Sequence, residues 1–89
     1  MDGIEVIATG EGTYRVTVTV DDSTSSHVVT VQGDDLTRFG SGASAEELVE
    51  ASFRFLLDRE PKESIMSRFD LSIIGRYFPE YPNKVGDYL

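Results

Sequence analysis

The chain has a single histidine, His27, with Ser25 and Ser26 just before it. Histidine exchanges a proton near neutral pH, and a serine becomes a nucleophile when such a base, oriented by a third group, lies beside it. In an extended strand Ser25 shares the face of His27, and Ser26 points to the other side. The sequence places no acid next to the pair, so His27 reads as a satisfied strand histidine at or near the surface. The acidic pairs Asp21-Asp22 and Asp34-Asp35 are the candidates for holding a metal ion. A calcium loop begun at Asp21 needs glycine at its sixth position and glutamate at its twelfth, where this chain has Ser26 and Gln32. Both pairs fall where turns are expected, and aspartate is a common turn residue. Gly40-Ser41-Gly42 precedes a helix as phosphate-binding loops do, but without the lysine or the glycine spacing of those loops. Glu46 and Glu47 would also meet an incoming phosphate with two carboxylates, so the glycines read as a connector. No catalytic residue, cofactor-binding residue or metal ligand is assigned, and no cofactor is expected.

Aromatic residues are the other concentration of functional side chains. Tyr77, Phe78, Tyr81 and Tyr88 crowd the C-terminal end, with Arg76 adjacent. Tyrosine and arginine are enriched where proteins bind one another. Tyr77 and Phe78 are expected to close the core, while Tyr81 and Tyr88 divide evenly between core and surface. Arg76, Tyr77, Tyr81 and Tyr88 are therefore the candidate interaction surface. The helical charges, with Glu50 and Arg54 four residues apart, read as a solvated face.

The elements that position these groups follow from periodicity. Tyr14, Val16, Val18 and Val20 alternate with Arg15, Thr17 and Thr19, the pattern of a half-buried strand. Ile4, Val6 and Ala8 repeat that pattern upstream, across a turn at Gly10-Glu11-Gly12. A third run, His27 to Val31, follows a polar loop over Asp21 to Ser25. Three strands with short links predict an antiparallel meander. Gly33 to Phe39 reads as a turn or a short helical turn. Ser44 and Glu47 form a capping box that opens an amphipathic helix extending to about Arg59, with Ala45, Leu48, Val49, Ser52, Phe55 and Leu56 on one stripe that Phe53 and Leu57 widen. Pro61 suits the start of a further helix that carries Ile65 and Met66 inward. Asp70 is placed as N-cap of a helix from Leu71 to Phe78. The predicted fold is α+β: a three-stranded antiparallel sheet covered by one amphipathic helix, with short C-terminal helices. Strands occupy about residues 3–32, helices about 44–79, and an irregular tail 80–89.

The 89 residues suffice for a single domain. Without cysteine, disulfides, thiolate zinc sites and cysteine nucleophiles are excluded. No apolar run is long enough to cross a bilayer, and Met1-Asp2-Gly3 lacks the basic and apolar regions of a signal peptide. A soluble, cytoplasmic protein is expected. Eight basic against 16 acidic residues give a net charge of −8, spread along the chain. That field disfavours nucleic acid and membrane surfaces and suits a basic protein partner.

The stretch from Ala51 to Ile65, with Phe69-Asp70-Leu71 and Arg76-Tyr77-Phe78-Pro79-Glu80-Tyr81, resembles a family of small uncharacterised prokaryotic proteins. The resemblance implies a shared fold and no chemistry. In element order alone, three strands then a helix on an acidic chain, the protein is similar to antitoxins of the HicB type. That likeness implies an antitoxin-like regulator of a basic partner. The expectation from the residues is a small non-enzymatic module that binds another protein, or itself, through a sheet edge or the tyrosine-rich end. A small ligand-binding protein or enzyme is the reading from a different class.

Overall fold

The computed structural model describes residues 3–40 and 42–89. Met1 and Asp2, and Ser41 of the glycine connector, lie outside the described residues. Strands β1 (Gly3–Gly10), β2 (Thr13–Val20) and β3 (Ser23–Thr30) form the antiparallel meander. Its register sets Val6 opposite Val16 and Val16 opposite His27, so the alternating apolar residues share one face. On the other face Thr17, Thr19, Thr24 and Ser26 meet solvent. β3 begins at Ser23, earlier than the predicted polar loop allows, because the turn needs only Asp21 and Asp22. Asp21 adopts φ 57°, a left-handed conformation that aspartate tolerates better than most residues.

Helix α1 (Gly33–Phe39) follows, and the Asp35 carboxylate accepts a hydrogen bond from the Gln32 amide at 2.8 Å. Asp35 is thereby buried at the start of a helix, where its charge also opposes the dipole favourably. Helix α2 (Ala45–Leu57) opens with the capping box: Ser44 Oγ accepts from the Glu47 amide at 3.1 Å, and Glu47 Oε1 accepts from the Ser44 amide at 2.9 Å. Of the predicted stripe, Ala45 and Leu57 are partly exposed, while Leu48, Val49, Ser52, Phe53, Phe55 and Leu56 are buried, as is Ala51. These residues meet Val16, Val18 and Val29 of the sheet in one core.

The sheet has a fourth strand that periodicity did not predict. β4 (Arg68–Asp70) runs parallel to β3, with Val29 opposite Phe69, and the order is β1-β2-β3-β4. The fold is α+β, but its sheet is four-stranded and mixed, not three-stranded and antiparallel. Three residues with one apolar side chain give no readable period; tertiary hydrogen bonds make this strand. The Val28 amide donates to the Ser67 carbonyl at 2.7 Å, and the Thr30 hydroxyl donates to the Asp70 carboxylate. Asp70 therefore serves Thr30 and makes no side-chain cap.

Other helical expectations change with it. Pro61 precedes only a tight helical turn, Lys62–Ser64, and the chain is extended at Ile65. Extended backbone points neighbours to opposite sides, so Ile65 is buried and Met66, predicted inward, is 41% exposed. The predicted helix from Leu71 to Phe78 is a tight turn, Leu71–Ile73, running into helix α3 (Ile74–Tyr77). The tail is not irregular: helix α4 (Tyr81–Lys84) and a tight turn, Val85–Tyr88, bury Tyr81 and Val85 at helical spacing.

Candidate interaction site

His27 is not at the surface; it is only 3% exposed and both ring nitrogens are occupied. Nδ1 lies 2.8 Å from the Met66 carbonyl oxygen, which can only accept, so Nδ1 carries the proton. Nε2 lies 2.8 Å from the Ser25 hydroxyl oxygen, within hydrogen-bond reach. The ring also sits 5.3 Å from that of Phe53. Ser25 and His27 do share a face as predicted, and a backbone carbonyl takes the third, orienting place. Ser25 lines neither of the grooves described below. His27 ties the Met66 carbonyl to β3 one residue ahead of the bond from Val28 to Ser67, and so lays β4 against the sheet.

The candidate tyrosines separate. Tyr81 is fully buried beneath α2, its hydroxyl 2.7 Å from Ser52 Oγ, which in turn donates to the Leu48 carbonyl at 2.7 Å. Loss of hydration pushes the Tyr81 phenol up to about 12, against a smaller opposing effect of the Ser52 hydrogen bond. Tyr81 is thus core and unavailable to a partner. Tyr88 is half-buried, donating to Asp58 Oδ2 at 2.6 Å and lying edge-on to Phe55. Arg59 caps the same cluster, 3.6 Å above the Phe55 ring and 3.0 Å from Glu80 Oε2. One flank of α2 is closed by these rings.

Tyr77 and Arg76 stand on the other flank. Tyr77, predicted to pack inward, is 67% exposed, because the short helix α3 spends its inward positions on Ile74 and the neighbouring Leu71. Tyr77 and Met66 face an apolar groove of about 420 Å³ floored by Leu56, Phe69 and Ile74 and bounded by Ile73 and Phe78. Its polar lining is Ser64 and Glu60. Partial burial holds the Glu60 carboxyl above its usual range. Among the described residues no ion pair reaches it. Met66, Ile73 and Glu60 were absent from the surface proposed on sequence. The apolar residues Ile73 and Ile74 were readable as helix, but Met66 becomes exposed only through the extended backbone at β4. Of the proposed surface, Arg76 and Tyr77 are exposed together, while Tyr81 and Tyr88 belong to the opposite flank.

A second groove, of about 650 Å³, lies between the sheet and the end of α2. Its walls carry charges of both signs, among them Asp21, Arg54, Glu60 and Glu63. Lys62, also in its lining, is buried; its ammonium donates to Ser23 Oγ at 2.6 Å and to the Glu63 carboxylate. Such a buried, satisfied cation is a structural strut. Among the described residues no three histidine, aspartate or glutamate side chains gather as metal ligands would, and no helix is long and apolar enough to cross a membrane. Comparison with protein-family models, curated proteins and solved structures finds no match for this chain.

Proposed function

We propose that the protein is a small interaction module that holds a segment of a basic partner protein in the apolar groove between Met66 and Tyr77. The observation that carries this reading is the exposure of those two large side chains, 41% and 67%, on one apolar depression. Exposed aromatic and thioether side chains rimming a concave surface are what protein-binding sites use as anchors. A volume of about 420 Å³ accepts one or two large apolar side chains. Glu60 at the groove and the net charge of −8 favour a lysine or arginine beside that anchor. An acidic regulator of a small basic protein is one case of the same chemistry.

Selection of peptides from a random displayed library on the immobilised protein tests the reading. Bound sequences are expected to be enriched in a large apolar residue with lysine or arginine within two positions. Tyr77→Ser is expected to remove binding, and Glu60→Gln to relax only the basic preference. Selection that yields no common pattern, or one indifferent to Tyr77→Ser, would count the groove out.

A further inference from the structure

The two edges of the sheet are managed differently. β4, at one edge, is three residues long, which leaves little backbone for another chain to pair with. β1, at the other, is eight residues long, and no described element pairs with its outer side. It contains neither lysine nor proline; its one charged residue is Glu5, and its register shift lies past Ala8, which leaves the stretch before it regular. Ile7 on its solvent face is 47% exposed, and Ile4 and Val6 on its inner face are only partly covered. From these observations we infer that β1 pairs antiparallel with β1 of a second copy of this chain, joining two sheets into one across a twofold axis.

The register of that pairing can be derived. A twofold axis normal to the sheet keeps inner residues opposite inner residues, so a single residue type must sit on the axis. The register shifts between Ala8 and Gly10, which ends the regular ladder at Ala8. Centring the remaining stretch on Glu5 would set two carboxylates face to face. Centring it on Val6 sets Val6 against Val6, Ile4 against Ala8 of the second copy, and Glu5 against Ile7 of the second copy. That register opposes no like charges, and it covers the half-buried inner residues of both copies with apolar neighbours.

Position 7 then discriminates the proposal, because it faces Glu5 of the second copy on one side and Arg15 of its own β2 on the other. Sedimentation equilibrium over a concentration series is expected to give a monomer–dimer equilibrium. Each substitution at position 7 acts twice in the symmetric dimer. Ile7→Glu should weaken dimerisation by about tenfold and Ile7→Lys should tighten it by a similar factor, from two cross-strand charge pairs. Adding Glu5→Lys to Ile7→Glu should restore the dimer. Within the monomer Arg15 favours the reverse order, glutamate over lysine, so thermal unfolding at dilute concentration separates folding from pairing. Raising salt from about 0.05 to 0.5 M should tighten the dimer, since each copy carries −8. Monomer mass at every concentration overturns the inference. So does a dimer indifferent to the charge at position 7, which would assign association to another surface, the Tyr77 groove included.

Discussion

The two flanks of α2 are built from similar residues and finish in opposite states. On one, Tyr81, Tyr88 and Arg59 converge on Phe55 and shut the core, while Phe78, also against Phe55, borders the other. On the other, Tyr77 and Met66 stand at the rim of an open apolar depression. Aromatic content does not separate them; hydrogen-bond partners do. Tyr81 has Ser52, so its phenol is buried without losing its polar bond, and the half-buried Tyr88 has Asp58. No hydrogen bond to the Tyr77 hydroxyl occurs among the described residues, and its ring remains in water. A tyrosine near a chain end becomes core where the fold supplies an oxygen for it.

That contrast can be tested from its strongest point downward. Phe55→Ala removes the ring on which the closed flank converges and should cost about 3–5 kcal/mol in denaturant unfolding. His27→Ala leaves the Met66 carbonyl without its donor and opens space beside Phe53. A loss of about 2–4 kcal/mol is expected. Amide exchange should accelerate first along β4 and the Met66 side of the open flank, and unchanged protection there would contradict the role given to His27.

Tyr81→Phe should cost about 1 kcal/mol at neutral pH, since Ser52 keeps its bond to the Leu48 carbonyl. Its larger signature is at alkaline pH. The buried phenol titrates at about 12 against an ordinary value of 10.0, so its contribution is present below pH 10 and disappears as pH rises toward 12. The difference between those two values corresponds to roughly 2–3 kcal/mol. The wild-type chain should therefore lose stability in that window and Tyr81→Phe should lose less; parallel pH profiles would remove Tyr81 from the core argument. Tyr77→Ser completes the series, with a change below about 0.5 kcal/mol, because an exposed ring supports little structure. A larger loss would mean that the open flank is part of the core.

The meander, the capping box at Ser44 and the buried stripe of α2 were legible because each is a local pattern repeated over several residues. β4 was not, since Arg68, Phe69 and Asp70 become a strand through partners about 40 residues away at Val28 and Thr30. The site shares that dependence. Ser25 and His27 were correctly placed on one face, but the burial of His27 needed the Met66 carbonyl, which spacing along a strand cannot reveal. Tyr77 was expected in the core and is exposed, and Tyr81 was left even between core and surface, because Ser52 contacts Tyr81 only once α2 and the tail have docked.

The parallel pairing of β4 also bears on the route by which the chain folds. The hairpins of the meander close over two residues each, whereas joining residues 28–30 to 68–70 confines an intervening loop of about 40 residues, at an entropy cost on the order of 3 kcal/mol. Because that cost must be met before the contact rewards it, this joint is expected to close after the local hairpins. A substitution such as Phe69→Ala should accordingly hasten unfolding while leaving the folding rate nearly unchanged, so the last-made joint of the sheet governs how long the native state survives.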